Sequence, residues 1–272
     1  MTQADIESRP THLSLARIDR LNARLILGLG GVVGALVLWE IGSRLGLIRE
    51  LFFSKPSDIF LAGLTALTQP RFWSDLGISS YELIVGFALA VIVAVPLGLV
   101  AGYWRRLRYS LDPPINFLNA LPQIALLPII VIWVGLGTEA KIATVFIGVV
   151  FPVLIPTMEG VKSVDPGFLN VGRSLGASRW RTFTSIVAPA TLPYTMAGIR
   201  LGFAGALTGL VTAELFAATH GLGVMIARAS QTLQSDRMLF GVLIFTAAGV
   251  LGSEGIRLIE KRFGTWRSTP AL

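Results

Sequence analysis

The sequence has no cysteine and only two histidines among its 272 residues. The absence of cysteine excludes disulfide bonds, thiolate catalysis and cysteine-based metal sites. Charged residues are also scarce, at 14% of the chain, whereas roughly a quarter of the residues in a soluble domain are charged. The mean hydropathy is +0.69 and 53% of the residues are hydrophobic. This balance excludes an ordinary soluble domain and predicts an all-α, polytopic membrane protein.

Six apolar segments are long enough to cross a membrane, which takes about 20 residues for a helix. They predict one membrane domain at 25–258, between a cytoplasmic N-terminal tail (1–24) and a cytoplasmic C-terminal tail (259–272). The first segment is too long for a signal-peptide core, so we expect it to be retained as a span. The six predicted spans are 25–43, 78–101, 117–136, 140–158, 195–218 and 238–257.

The net charge of +7 is distributed unevenly along these segments. With the N-terminus inside, the predicted inner segments hold 16 lysines and arginines and the outer segments hold 7. Positively charged residues concentrate on the cytoplasmic side of membrane proteins, so both termini are expected in the cytoplasm. Topology therefore explains the basic excess, and no nucleic-acid partner is expected.

The third predicted span is unusual because it contains Pro122 and Pro128. Each proline removes an intrahelical hydrogen bond, so we expect this helix to be kinked or locally opened. Opened backbone at membrane depth is tolerated only where protein or water satisfies it, which makes Asn119 and Gln123 candidates for a translocation pathway. The Pro113–Pro114 pair is expected to form a turn before this span.

The fifth predicted span carries small residues four apart, including Gly202 and Ala206, which let two helix backbones approach closely. Packing within the chain and a place at a dimer centre or along the pathway both remain open. Thr208 and Thr212 are polar pathway candidates on the same helix. Ionisable residues within spans are functional candidates by default, so Glu214 is expected at an outer gate or packing constraint, with a helix-end hydrogen bond as the alternative.

A polar stretch interrupts the apolar pattern at 165–193, "DPGFLNVGRSLGASRWRTFTSIVAPATLP". Asp165 is a typical cap for a first short helix, and Gly176 stands where a helix-ending glycine is common. Ser178 is expected to cap a second helix, which Pro189 would discourage from continuing into the fifth span. The pattern predicts a helix–glycine–helix element on the cytoplasmic side.

Apolar residues recur at helical spacing along both short helices. Such anchors are typical of a helix that docks into a groove of a partner protein. A helix lying flat on the inner leaflet of the bilayer is the alternative. The candidate anchors are Phe168, Val171 or Gly172, Leu175, Trp180 and Phe183.

The second half of this stretch, "GASRWRTFTSIVAPATLP", resembles the cytoplasmic loop signature of permease subunits of bacterial ATP-binding-cassette importers. That signature runs E-A-A, three residues, G, nine residues, I, one residue, L-P. The glycine, isoleucine and proline keep its register, whereas 170–172 depart from the acidic–Ala–Ala start. The resemblance implies an ATPase-coupling loop at about 159–193 containing Asp165, Phe168, Asn170, Val171, Gly172, Leu175, Gly176, Ser178, Arg179, Trp180, Phe183, Ile186 and Pro189.

Three further stretches are similar to the subgroup of this family that handles nitrate, taurine and alkanesulfonates. They are "GFALAVIVAVPLGLVAGYWRRL", "LNALPQIALLPIIVIWVGLG" and "TAELFAATHGLGVMIARA". The resemblance implies a type I importer permease of the bacterial inner membrane that dimerises and binds two ATPase subunits. It also implies that an extracytoplasmic binding protein delivers the solute, for which the subgroup favours a small anion.

The sequence offers no catalytic site of its own. It lacks a G-x-x-x-x-G-K-[ST] phosphate loop, and His12 and His220 fall in a polar tail and a loop without a nucleophile to serve. We therefore expect no metal or cofactor in this chain, with ATP and Mg²⁺ on the partner ATPase. A self-sufficient secondary transporter or channel is the alternative, but such proteins often contain duplicated halves, which this sequence lacks.

Overall fold

The computed structural model describes residues 12–49 and 53–263, with side chains at 27–49 and 53–262. The predicted tails fall partly outside these ranges, at 1–11 and 264–272. Within the described residues the chain forms eleven α-helices and one π-helical segment. They are α1 (His12–Arg44), α2 (Pro56–Leu67), α3 (Pro70–Tyr103), α4 (Arg105–Asn119), α5 (Gln123–Val134), α6 (Thr138–Lys162), α7 (Pro166–Ser174), α8 (Arg179–Thr182), the π segment (Phe183–Val187), α9 (Ala188–Ala217), α10 (Leu222–Gln231) and α11 (Ser235–Phe263).

The predicted spans correspond to helices that are long and apolar enough to cross a membrane. In the described ranges five helices meet this criterion, and the bent pair of α4 and α5 makes a sixth if it is counted as one span. This confirms the prediction of an all-α membrane protein with about six spans. Most of the helices are longer than the apolar runs, since α3 begins at Pro70 and α1 begins at His12.

The third predicted span is broken. α4 and α5 meet at 98° across 120–122, so the interruption expected near Pro122 is confirmed, whereas Pro128 lies inside α5. With 12 residues, α5 is about 18 Å long, too short to cross a hydrocarbon core of about 30 Å by itself.

The turn predicted at Pro113–Pro114 is wrong, because both prolines lie inside α4. They remove the helical donors for the carbonyls of Tyr109 and Ser110. Both of those residues are exposed, so water or lipid headgroups can satisfy the freed carbonyls and the helix continues.

α6 is the central helix and packs along both α3 and α9. Its buried face includes Val149 and Val153. Glycines allow the backbones of α6 and α9 to come very close, since a Cβ at Gly148 would lie 2.8 Å from the carbonyl oxygen of Gly205. The small-residue stripe of the fifth span therefore packs against α6 of the same chain.

The second short helix does not stop before the fifth span, so that prediction is wrong. α8, the π segment and α9 form one continuous helix, Arg179–Ala217. Pro189 falls in the first turn of α9, directly after the π segment, and Pro193 lies inside α9. A single π turn inside an α-helix shifts the hydrogen-bond register locally, so the chain passes from one winding to the other without ending.

Parts of four helices, α1, α2, α10 and α11, gather at the end of the molecule opposite the loop 165–189. α2 packs on α11, where a Cβ at Gly63 would lie 2.6 Å from the ring of Phe240. The first turn of α2 is held to α1, because the N–H of Ser57 donates to Glu40 at 3.1 Å and its hydroxyl donates at 2.9 Å. α10 lies between α9 and α11. This end of the fold is therefore a packed assembly of helix ends.

Candidate functional site

The first short helix of the 165–189 loop is closed at both ends by hydrogen bonds. The Asp165 carboxylate accepts from the N–H of Gly167 at 2.7 Å, so it caps α7 as predicted. At the other end Gly176 has a φ of +71°, and the N–H of Ala177 donates to the carbonyl of Gly172 at 2.9 Å. This ending is a Schellman motif, in which glycine takes the left-handed conformation without a steric penalty.

α7 packs closely against the π segment at Gly172. A Cβ at this position would lie 2.9 Å from Cδ1 of Ile186, so the missing side chain permits the approach. Below Ile186, Phe183 and Val187 are buried in a cluster with Val161 of α6. The loop therefore packs against the end of α6.

The second short helix is fixed by a cap and by aromatic contacts. The hydroxyl of Ser178 accepts from the N–H of Arg181 at 3.2 Å, as a cap should. The hydroxyl of Tyr103, at the end of α3, donates to the carbonyl of Arg179 at 3.1 Å. The ring of Tyr103 also lies 5.1 Å from that of Phe183. The loop thus contacts the ends of both α3 and α6.

Four apolar side chains of the loop remain exposed and form what we call the docking face. Their exposed fractions are 62% for Phe168, 58% for Val171, 81% for Leu175 and 67% for Trp180. The sequence left open which anchors face a partner, and the structure separates these four from the buried Phe183. Among the other candidate residues named for the loop, the exposed ones are Asp165, Asn170, Gly176, Ser178, Arg179 and Pro189.

The pathway candidates of the third span lie at and after the α4–α5 break. Asn119 and Pro122 are exposed and Gln123 is half-buried. The amide oxygen of Gln123 lies beside α6, since it would be 3.2 Å from a Cβ placed on Gly148. Pro128 is exposed one turn further along α5. The break therefore places one polar side chain, that of Gln123, next to the central helix.

The candidates on α9 divide between its two faces. Gly202 is buried against α6, where an added Cβ would lie 2.8 Å from Cγ2 of Val153. Thr208 is exposed and its hydroxyl donates to the carbonyl of Ala204 at 3.1 Å. Thr212 is half-buried. Of these three residues, Gly202 is the one shown in the contact between α6 and α9.

Glu214 is almost fully buried at the far end of α9. The hydroxyl of Ser79 donates to its Oε1 at 2.5 Å, and the N–H of Gly223 donates to its Oε2 at 2.6 Å. Ser79 in turn accepts from the N–H of Leu222 at 2.9 Å. Glu214 therefore ties α3 and α9 to the first turn of α10.

Two further contacts extend this network into the distal polar cluster, defined as Asp75, Ser79, Glu82, Lys141 and Glu214. The carboxylate of Asp75 accepts from the N–H of Gly221 at 3.0 Å. Glu82 forms a buried ion pair with Lys141. Within the part of the chain that the structure describes, no three His, Asp or Glu side chains converge to hold a metal ion.

Sequence reasoning singled out Glu214 but missed its neighbours. Asp75, Ser79 and Lys141 were not among the candidate residues. Asp75 and Lys141 could have been found, because ionisable residues beside or within apolar runs are functional candidates by default. Their separation in the chain hid the connection, because Ser79 and Glu214 are 135 residues apart.

Residues 94–265 match the model of the family described as the inner membrane component of binding-protein-dependent transport systems. The chain belongs to this family. It is 31% identical to the taurine transport system permease protein TauC of Escherichia coli K12, over 90% of this chain and 91% of the relative. It is also 31% identical to the putative aliphatic sulfonates transport permease protein SsuC of Bacillus subtilis 168, over 86% of this chain and 85% of the relative.

A third relative is the bicarbonate transport system permease protein CmpB of Synechococcus elongatus, 29% identical over 90% of each chain. Among solved structures, a chain of the MetNI methionine transporter in inward-facing conformations aligns with a TM-score of 0.64 and 15% identity. That alignment covers 72% of this chain and 99% of the other, and at this identity it shows the fold alone. The fold is that of an importer permease.

The protein is thus the transmembrane permease subunit of an ATP-binding-cassette importer, as its loop signature and apolar spans predicted. Family membership implies an ATPase and a binding protein as partners in general terms. Family membership also favours the interpretation as an importer permease over the alternative of a self-sufficient secondary transporter or channel.

Proposed function

We propose that this permease carries a small anion across the bacterial inner membrane as a homodimer with two ATPase subunits. An extracytoplasmic binding protein delivers the solute, and the ATPase subunits bind ATP and Mg²⁺. The relatives support an anion, because the names of three of them specify taurine, aliphatic sulfonates and bicarbonate. These solutes share a sulfonate or carboxylate-like oxyanion group.

The observation that supports binding of an ATPase is the docking face, whose apolar side chains are exposed while neighbouring residues of the loop are buried. Phe168 and Leu175 on one helix, and Trp180 on the next, are mostly exposed in the isolated chain. Phe183 and Val187 are buried, and the ring of Phe183 lies 5.7 Å from that of Trp180. A capped helix pair that keeps its apolar anchors outward suits recognition by a groove in another protein.

The solute pathway is proposed to pass the α4–α5 break. Asn119 and Gln123 lie there, and the amide oxygen of Gln123 lies next to Gly148 of the central helix α6. Non-helical backbone at membrane depth is stable only where protein or water satisfies it, which supports a water-accessible route at this break. Glu214 is proposed to act at an outer gate, where its hydrogen bonds to Ser79 and Gly223 hold α9 to α3 and α10.

The test of the docking proposal is Gly176→Val. A β-branched residue at a φ of +71° costs about 1 kcal/mol or more, so the turn between the helices should open. Membrane insertion should be normal, since the spans decide it, whereas copurified ATPase and solute uptake should both fall. Both quantities are measured in the same membranes.

Gly46→Val provides a matched control. Gly46 has the same φ of +71° and, like Gly176, no atom within 4 Å of an added Cβ, but it follows α1, far from the loop in sequence. The control should retain both ATPase copurification and uptake. If Gly176→Val inserts normally and equals wild type in both measurements, the loop is a surface helix and the docking proposal fails.

A further inference from the structure

A cavity of about 260 Å³ lies among the helix ends opposite the loop. Three arginines from separate elements line it, namely Arg71 at the start of α3, Arg228 in α10 and Arg237 at the start of α11. Gln69 and Gln234 add uncharged polar groups at its edge. At about 30 Å³ for each water molecule, the cavity has room for roughly eight waters.

The charges around this cavity are not balanced. Asp75 is the only acidic residue that lines it among residues 12–49 and 53–263. One oxygen of Asp75 accepts the backbone N–H of Gly221 at 3.0 Å, and the other lies 3.6 Å from Arg71. Three exposed arginines and one carboxylate therefore line the cavity, and one oxygen of that carboxylate already accepts a backbone hydrogen bond.

The other two arginines retain free donors. Arg228 donates from Nη2 to the carbonyl of Thr219 at 3.2 Å, which uses one of its five N–H groups. Among the hydrogen bonds and ion pairs of residues 27–49 and 53–262, none involves Arg237. Guanidinium groups with free parallel N–H donors bind planar and tetrahedral oxyanions in a two-pronged geometry.

A tight turn fixes the spacing of Arg228 and Arg237. α10 ends in a Schellman motif, in which the N–H of Gln234 donates to the carbonyl of Ala229 at 2.8 Å. Leu233 occupies the left-handed position with a φ of +56°, where glycine is usual. The turn brings the last turn of α10 and the first turn of α11 to the same cavity.

The cavity and the loop lie at opposite ends of α3. Asp75 borders the cavity and Tyr103 contacts the loop, and the rise from one to the other is about 42 Å of helix. This length matches the roughly 40–45 Å of a bilayer with its headgroups. If the loop is cytoplasmic, as the proposed function requires, the cavity opens on the extracytoplasmic surface.

We propose that this cavity is a binding site for the oxyanion group of a small solute, outside the membrane pathway. The three arginines supply the positive charge and the two-pronged donors, and the cavity admits a sulfonate or carboxylate that carries a few carbon atoms. The site holds the anion that the binding protein releases at the outer end of the transport helices. The inference depends on the proposed function only for the side of the membrane.

The test is a titration of the purified permease–ATPase complex in lipid nanodiscs with methanesulfonate. The wild-type complex should bind methanesulfonate saturably, and higher ionic strength should weaken binding. The double variant Arg228→Gln/Arg237→Gln should weaken it at least about tenfold, because each substitution removes a charge-assisted contact. Dimethyl sulfone, which has a similar shape but no charge, should not bind.

Arg49→Gln is the matched control, since Arg49 is exposed and does not line the cavity. It should bind methanesulfonate like wild type. No saturable binding to wild type, or equal binding by wild type and the double variant, overturns the proposal. So does a double variant that loses capture of the binding protein but keeps its methanesulfonate isotherm, because the arginines would then serve protein docking.

Failure of the anion-site proposal can be distinguished from failure of the proposed ATPase-coupling loop. Gly176→Val should retain the methanesulfonate isotherm when the permease is purified without its ATPase, because the site and the loop lie at opposite ends of α3. Loss of methanesulfonate binding in that variant would contradict an independent site.

Discussion

The ammonium group of Lys141 lies 2.5 Å from the carboxylate of Glu82, and the exposed fractions of the two side chains are 4% and 0%. Thr138 donates a hydrogen bond to the same carboxylate at 3.0 Å, and Lys141 also donates to the carbonyl of His220 at 3.1 Å. The second oxygen of Glu82 has no partner among the described residues. The pair joins α3 to α6 at the end of the molecule that also holds Glu214.

Lys141→Met should destabilise the permease strongly. It leaves the Glu82 carboxylate buried without its counter-charge, which typically costs about 3–5 kcal/mol. The double variant Glu82→Leu/Lys141→Met should recover most of this loss, because it removes both desolvated charges. The measurement is the thermal unfolding temperature of the wild type, Lys141→Met and the double variant, each purified in the same detergent.

Lys162→Met is the control for this experiment. Lys162 is also 2.5 Å from a carboxylate, that of Glu159, but both side chains of this pair are substantially exposed. An exposed pair contributes only about 0–1 kcal/mol, so the unfolding temperature should change little. Equal losses for the two lysine variants would contradict a special role for the buried pair.

Gly202→Leu should impair folding or transport by separating α9 from α6. An added Cβ would already lie 2.8 Å from Val153 and 3.1 Å from Val149, and overpacking of this kind costs about 1–3 kcal/mol. Leu201→Ala should be milder, because Leu201 is 58% exposed. Membrane yield, thermal stability and uptake are compared for the variants.

Gly77→Leu adds the same side chain at a site where no atom lies within 4 Å of a Cβ. It should preserve both yield and stability. Wild-type behaviour of Gly202→Leu would show that the close α6–α9 contact is not required.

Trp180→Ala should impair ATPase binding, whereas Phe183→Ala should impair the stability of the permease. Trp180 is mostly exposed on the docking face, so its loss should lower ATPase copurification and leave the thermal stability of the isolated permease nearly unchanged. Phe183 is buried, and truncating a buried phenylalanine costs about 3–5 kcal/mol. A drop in stability for Trp180→Ala with undiminished ATPase capture would show that the face does not bind the ATPase.

Cysteine labelling can establish the topology directly, because the chain has no native cysteine. Ser178→Cys in the loop should be protected from an impermeant thiol reagent added to intact cells. Ser74→Cys, exposed at the other end of α3, should react. Labelling of Ser178→Cys from outside would reverse the orientation inferred from the distribution of basic residues.

Local signals in the sequence predicted the local structure of the loop. The caps at Asp165 and Ser178 and the left-handed Gly176 depend on neighbours within a few residues, so their chemistry is visible in the sequence. The same is true of the break beside Pro122, where the proline and the polar residues are adjacent. The apolar spans were recognisable because their length is set by the bilayer.

Features that depend on distant contacts were not predictable in this way. Pro189 suggested a helix end, but the buried contacts of Phe183 and Val187 accompany a π turn that lets the helix continue. The hydrogen bond from Ser79 to Glu214 joins residues 135 positions apart, and no local pattern specifies that pairing. Likewise, the three arginines of the cavity come from three elements whose proximity only the fold determines.

The unbroken helix from Arg179 to Ala217 has a mechanical consequence. Its 39 residues make a rod about 58 Å long, with Trp180 near one end and Glu214 near the other. A tilt of only ~4° about one end carries the opposite end through ~4 Å over this length. Trp180 of the docking face and Glu214 of the distal polar cluster therefore lie near opposite ends of one helix, so we expect a tilt at one end to move the other.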